Sequence, residues 1–238
     1  MSKNSSDYMA YTAQLQKNRE NFRKNKDDYA WDTYTQIYEK QMNDPSRPRS
    51  ISKGGMLVTS FEEKDGELVF HDNLHNNWKE IYHQIHRLKI KSVFECGCGA
   101  SLHLRNIKEI HPNVIVNGCD YSSSQINLGF KYYNIGDYEF SKRLVVKDLT
   151  NKYGLDNLGK HEFVYTQAVT MHLAYDKALK FLSNMKELST KYILLTENPQ
   201  HHDYNDLIAK ALPEYERIIG ENKYNMNAIL LKRKSLTE

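Results

Sequence analysis

Apolar residues recur along the chain with two different periods, and the change falls near residue 90. Before it the spacing is helical. Tyr8, Tyr11, Leu15 and Phe22, then Trp31, Tyr34, Ile37, Tyr38 and Met42, recur about once per turn, which predicts helix from Asp7 to about Asn43. Asp44-Pro45-Ser46-Arg47-Pro48 ends it, because proline has no amide hydrogen to donate. Ser52-Lys53-Gly54-Gly55 reads as a loop. Two apolar runs, Leu57 to Phe61 and Leu68 to Phe70, flank Lys64-Asp65-Gly66-Glu67; an Asp-Gly pair in that setting predicts a β-hairpin. From His71 to Leu88, Trp78, Ile81, Tyr82, Ile85 and Leu88 mark one face of a helix.

After Ile90, short apolar runs alternate with helical stretches. Strands are predicted at Ser92 to Glu95, Val114 to Asp120, Leu144 to Val146, Phe163 to Thr166 and Tyr192 to Thr196. Helices are predicted from Ser101 to Ile110, Ser122 to Tyr133, Tyr175 to Leu188 and Asp206 to Leu212. Tyr215 to Ile219 and Asn227 to Leu231 read as a closing antiparallel pair. Such alternation predicts an α/β protein: a Rossmann-like, doubly wound sheet of about seven strands with an N-terminal helical and hairpin cap. The division falls into residues 1–74, the extension and cap, and residues 75–238, the ligand-binding domain.

Composition narrows the function classes. The 238 residues suit one large domain with an elaborated end, and 39% hydrophobic with 26% charged residues excludes a disordered or fibrous chain. No apolar run approaches the roughly 20 residues that span a bilayer, and the polar start lacks a secretory signal, so a cytoplasmic protein is expected. A net charge of +3 is too small to argue for nucleic acid. The run Lys17, Arg19, Arg23, Lys24 and Lys26 reads as a solvated helix face, or as a guide for an anionic substrate. Cys96, Cys98 and Cys119 are too few for a disulfide scaffold; Cys-x-Cys invites a metal, but nothing nearby completes four ligands, and small buried packing residues are the alternative.

The informative stretch is Val93-Phe94-Glu95-Cys96-Gly97-Cys98-Gly99-Ala100-Ser101. A strand ends at an acidic residue and turns through two glycines into a helix, which permits a tight turn and close approach of backbone to a ligand. A second strand then ends at Asp120, where a carboxylate can accept hydrogen bonds from both hydroxyls of a ribose. A dinucleotide is disfavoured: the Gly-x-Gly-x-x-Gly pattern fails at Leu102, and Glu95 would repel phosphate. A cationic ligand without phosphate fits better, and S-adenosylmethionine (SAM) is one.

Glu95-x-Gly97-x-Gly99-x-Ser101 followed by Gly118-Cys119-Asp120-Tyr121-Ser122 resembles motifs I and II of class I SAM-dependent methyltransferases. The resemblance covers about residues 75–235. It implies a SAM site built from Glu95, Gly97, Cys98, Gly99, Asp120 and Tyr121, with Asp148 and Leu149 near the adenine and Gln167 and Ala168 at the methionine end. The chain departs from the family pattern at Ser101, where a third glycine is usual, and at Glu162, where an aspartate is frequent. Family members often lay an N-terminal aromatic helix over SAM, which would use Trp31, Tyr34 or Tyr38; alternatively these rings only pack the extra helix onto the sheet.

Transfer to a hydroxyl needs an in-line approach and a base, or a divalent metal that lowers the hydroxyl pKa. Ligands bind beyond the carboxyl ends of parallel strands. His172 after the fourth strand, and Glu197, His201 and His202 after the fifth, are therefore the catalytic candidates, with Asp203 in the same cluster. The alternative for that cluster is a hydrated loop with a helix N-cap at Asp203. His71 and His75 stand before the first core helix and could line the acceptor side. No metal ligands are assigned.

Met171-His172, Lys191 to Asn198 and His202-Asp203-Tyr204 are similar to small bacterial and viral methyltransferases found with surface-polysaccharide genes, which implies a sugar or glycan hydroxyl as acceptor. The 17 tyrosines could stack on such an acceptor, or simply reflect a compositional habit. The Asp/Asn/Ser-Pro-Pro-aromatic motif of base methylation is replaced by Tyr165-Thr166-Gln167-Ala168, which disfavours nucleic acid. The competing reading is a non-catalytic methyltransferase-fold subunit that supports a partner protein. Retention of Glu95, Gly97, Gly99 and Asp120 favours the enzyme.

Overall fold

The computed structural model describes residues 35–36, 39–40, 57–72, 74–151, 155 and 157–235. Most of the helix expected before Asn43, including Trp31, Tyr34 and Tyr38, lies outside the described residues; 35–36 and 39–40 are helical. The hairpin forms from β1 (Phe61–Lys64) and β2 (Glu67–Phe70), in register from Phe61 opposite Phe70 to Lys64 opposite Glu67. Asp65 and Gly66 both have positive φ, 54° and 80°, as a two-residue turn matched to strand twist requires. The strand begins later than the apolar run suggests. Thr59 and Ser60 give their amides to the Asp72 carboxylate at 2.6 and 2.7 Å, which holds that stretch out of the ladder.

Helix α1 (Asn76–Arg87) also starts later than expected, because His75 is extended and caps it, Nδ1 accepting from the Asn77 amide at 3.2 Å. Then follow β3 (Ser92–Cys96), α2 (Leu102–Ile110), β4 (Ile115–Asp120), α3 (Ser123–Tyr132), β5 (Leu144–Val146), β6 (His161–Gln167), α4 (Tyr175–Leu188), β7 (Ser189–Thr196), α5 (Tyr204–Ala211), β8 (Tyr215–Ile218) and β9 (Ile229–Arg233).

These strands make a seven-stranded sheet in the order β5-β4-β3-β6-β7-β9-β8. The pairs from β5 to β7 are parallel, and β9 runs antiparallel to both β7 and β8. Chain order reverses between β3 and β6, so a crevice is expected at the carboxyl tips of those two strands. Alternation along the strands divides the core. Val93, Phe163 and Tyr165 pack under α1 and α2 with Tyr82, Ile85, Leu104 and Ile107. Phe94, Cys96 and Val164 pack under α4 and α5 with Leu182, Met185 and Leu207.

Two close fits hold the helices. Gly129 of α3 lies against the turn that precedes α2: a Cβ there would stand 2.3 Å from the Ala100 carbonyl oxygen. Glu80 of α1 is wholly buried. Its Oε2 accepts three consecutive amides, from Lys223, Tyr224 and Asn225 at 3.0, 2.7 and 3.0 Å, while Oε1 accepts from Gln84 Nε2 at 2.7 Å. The carboxylate thereby organises the link between β8 and β9. Glu80→Ala strands those amides and should cost about 3 kcal/mol of stability in urea unfolding. Gly129→Ala should cost about 1–3 kcal/mol by overpacking. Unchanged midpoints would remove either role.

Candidate cofactor and transfer site

The site begins where β3 runs out. Gly97 and Gly99 have φ of 77° and 51°. At Gly97 a side chain is excluded twice, by that backbone and by Val169, whose Cγ2 would lie 2.4 Å from an added Cβ. Ser101 also adopts the left-handed conformation, φ 58° and ψ 25°, so the backbone keeps a glycine-like shape where the third glycine is missing. The serine is fully buried and its hydroxyl donates to Cys98 Sγ at 3.5 Å.

Asp120 ties this turn to β4. Gly99 N–H donates to Oδ2 and Ser122 N–H to Oδ1, each at 2.8 Å. The Gly97 and Cys98 amides both donate to the Cys119 carbonyl, at 2.8 and 2.9 Å. Burial raises the Asp120 carboxyl, and the two amides oppose that rise. A carboxylate offers about four acceptor directions, so two remain for a ligand's hydroxyls. Tyr121 beside it is 65% exposed, an aromatic face open to a ligand. At the tip of β5, Asp148 Oδ1 accepts from the amide and hydroxyl of Thr150 at 2.8 and 2.6 Å. The Leu149 side chain is instead buried among the α4 and α5 residues, and its carbonyl accepts from Asn184.

Beyond β6 and β7, the polar residues form one clamp. Glu197 is buried, with Oε1 accepting from Val169 N–H at 3.0 Å and Oε2 from Met171 N–H at 3.2 Å. Burial raises its carboxyl, and these amides counter the rise. His202 Nε2 stands 2.9 Å from the Thr170 carbonyl, so that nitrogen carries the proton, and the ring edge meets Tyr175 and Tyr204. Tyr204 OH meets the Thr170 hydroxyl at 3.0 Å. The loop thus held carries Ala168, with φ 54°, and ends in a short 3₁₀ turn, Thr170–His172. His172 closes that turn; His201 lies in the β7 loop, its amide donating to the Asn198 carbonyl at 3.3 Å. Asp203 caps α5 through the amides of Asn205 and Asp206.

A second polar group faces the same tips and was not anticipated as a unit. His103, in the first turn of α2, is buried with its Nδ1 3.1 Å from Tyr82 OH and its ring edge-on to Trp78. Asn106 Nδ2 donates to Tyr82 OH at 2.9 Å, and Asn106 Oδ1 accepts from Val58 N–H at 3.2 Å. Burial lowers the His103 ring to about 4, against a side-chain hydrogen bond to Gln167 at the end of β6. Tyr82 is marked in the sequence only as part of an apolar stripe, and nothing in the sequence singles out His103. Thr35 is buried, and its hydroxyl accepts from Gln125 Nε2 at 2.6 Å. Gln125 Oε1 is in turn 3.7 Å from where a Cβ on Gly99 would lie. Cys96, Cys98 and Cys119 are buried free thiols, all raised by burial. Among the described residues no group of three or more His, Cys, Asp or Glu side chains is placed to hold a metal ion.

No family model matches the sequence, and no curated protein matches it. Solved structures do match. SibL, an S-adenosylmethionine-dependent methyltransferase in its apo form, has a TM-score of 0.50 at 11% identity over 66% of this chain and 54% of its own. StiE O-MT also has a TM-score of 0.50, at 10% identity over 68% of this chain and 74% of its own. The fold is that of class I SAM-dependent methyltransferases. Magnesium protoporphyrin IX methyltransferase (ChlM) from Synechocystis PCC 6803, with bound SAM, has a TM-score of 0.45 at 15% identity over 60% of this chain and 69% of its own.

Glu197→Gln keeps the size but turns an acceptor into a donor facing backbone amides. It should lower stability by about 1–3 kcal/mol and speed hydrogen exchange at Val169 and Met171. Exchange unchanged at both amides would show that the clamp does not depend on the carboxylate.

Proposed function

We propose that this protein is a SAM-dependent methyltransferase that methylates a hydroxyl of a sugar, glycan or other small molecule. The observation that carries the reading is Asp120. Its carboxylate bridges the glycine turn and the tip of β4, and it retains acceptor capacity toward the crevice. The buried Glu95, whose Oε2 has no hydrogen-bond partner, fits a ligand with a cationic end.

In this reading Glu95, Gly97, Cys98 and Gly99 cradle the methionine end and the sugar. Asp120 accepts from the ribose hydroxyls, Tyr121 lies against the adenine, and Asp148 and the Leu149 backbone border it. Gln167 and Ala168 line the approach to the methyl group. Bound SAM supplies an activated methyl on a sulfonium, and displacement at that carbon must be in line. Glu197 and His202 position the 168–172 loop rather than move protons, because their polar atoms are spent on its backbone. His172, at the end of that loop, and His201 are the candidates to take the hydroxyl proton. His103 stays neutral near pH 7, and its bond to Gln167 orients the carboxamide at the transfer site. The glycan choice rests on the resemblance of the Met171-His172 and Lys191 to Tyr204 segments to polysaccharide-associated enzymes. No helix of the described residues is long and apolar enough to cross a membrane.

Calorimetric titration with S-adenosylhomocysteine should give micromolar-range binding, and NAD none. Binding of neither would move the assignment to a non-catalytic subunit. Asp120→Ala should weaken that binding about tenfold or more through lost ribose bonds. With an acceptor in hand, His172→Ala should lower kcat with little change in cofactor affinity, and EDTA should leave turnover intact. Loss of turnover in EDTA would make the reaction metal-assisted.

A further inference from the structure

A line of buried groups connects a backbone amide to the tip of β6, and its donors and acceptors fit together in one direction only. Asn106 of α2 and Tyr82 of α1 are wholly buried, and His103 of α2 is 7% exposed. The Val58 amide can only donate, and it donates to Asn106 Oδ1 at 3.2 Å. That fixes which way the carboxamide is turned. Its Nδ2 therefore faces Tyr82 and donates to the hydroxyl oxygen at 2.9 Å. The Tyr82 hydroxyl thus accepts from one side and has its own proton left to give. His103 Nδ1 stands 3.1 Å away.

The opposite arrangement of protons is costly. Were Nδ1 to carry the ring hydrogen, Tyr82 would accept twice and its own proton would be stranded in the core. Burial pushes the phenol up, with Glu95 adding to the rise, so that proton stays on it. Nδ1 is therefore the acceptor, and a neutral ring with a bare Nδ1 carries its hydrogen on Nε2. Trp78 fixes the plane of the ring, edge-on with centroids 4.8 Å apart. The groups that bear on the imidazole are Tyr82 and Trp78 of α1, His75 just ahead of α1, and Gln167 at the end of β6. Burial lowers the ring to about 4; the side-chain bond to Gln167 opposes the fall and His75 adds to it.

We propose that this line locks His103 in the Nε2–H tautomer, and that His103 in turn holds the Gln167 carboxamide by its oxygen, so that the transfer site meets amide N–H donors and seats an oxygen there. His103 is then a positioning residue and not a base, because its basic nitrogen is spent on Tyr82. The inference rests on the methyltransferase reading, which puts the transfer site at the tip of β6. The seated oxygen is either a hydroxyl of the acceptor or the carboxylate of the cofactor. An ammonium has no lone pair to offer these donors and is turned away. The polarity is set from outside the site, since Val58 lies in the segment that leads into the β1–β2 hairpin.

The test is nitrogen NMR on the full chain, isotope-labelled at histidine and glutamine. Between about pH 5 and 8 the wild type should show His103 with its hydrogen on Nε2 and no titration. Tyr82→Phe removes the donor to Nδ1 and should give a mixture of tautomers. His103→Leu should shift the side-chain amide resonances of Gln167. His103→Gln should restore them, because a glutamine nitrogen reaches to where Nε2 lies. A ring that served only to pack against Trp78 would not separate these two substitutions.

Calorimetry on Gln167→Ala tells the two oxygens apart, with S-adenosylhomocysteine and with 5′-methylthioadenosine, which lacks the amino acid. Affinity for both within about twofold of wild type assigns the oxygen to the acceptor. A loss of about tenfold for S-adenosylhomocysteine alone assigns it to the cofactor's carboxylate. A hydrogen on Nδ1 in the wild type, titration within the range, or Gln167 resonances that ignore His103→Leu would overturn the inference and leave the cofactor assignment standing. Failure of the wild type to bind either ligand would overturn the role at the transfer site together with the reading it rests on.

Discussion

One carboxylate joins the two halves of the site. Asp120 takes an amide from the glycine turn after β3 and another from the turn after β4, so two neighbouring strand tips share one anchor. Without it the turn would have to find another partner for the Gly99 amide, and a buried amide left alone is costly. The adjacent Cys119 carbonyl accepts two more amides from the same turn. The turn is therefore shaped by β4 as much as by its own glycines. That explains why Ser101 can stand in a left-handed conformation: the surroundings over-determine the backbone, and the strain of a side chain there is borne by the packing.

The same economy governs the far side of the crevice. Glu197 at the tip of β7 receives the amides of the β6 loop, and His202 returns a bond to Thr170 in that loop. Val169, fixed in this way, is the residue that forbids a side chain at Gly97. The chain of contact thus runs from β4 through the glycine turn to Val169, and on to β7. Residues with the look of acid–base catalysts serve the geometry of a loop.

Charge completes the logic. Glu95 lies among acids, phenols and thiols in an apolar setting, an arrangement that disfavours phosphate and rewards a cation. On the neighbouring α1–α2 side, Asn106, Tyr82 and His103 form a neutral chain that leads to Gln167.

The sequence by itself determined the element order, the hairpin turn at Asp65-Gly66 and the glycine turn with its Asp120, because period, turn chemistry and spacing are local properties of the chain. It also placed His172, Glu197, His201 and His202 at strand tips, since position after a strand is local too. What Glu197 and His202 do there was decided only in three dimensions. Whether a carboxylate is spent depends on which amides meet it, and those of Val169 and Met171 lie more than 25 residues away along the chain. The same holds for Gly129 against Ala100, for Glu80 against the β8–β9 link, and for His103 joined to Tyr82. Each depends on a pairing between separate elements that only the packing of sheet and helices creates.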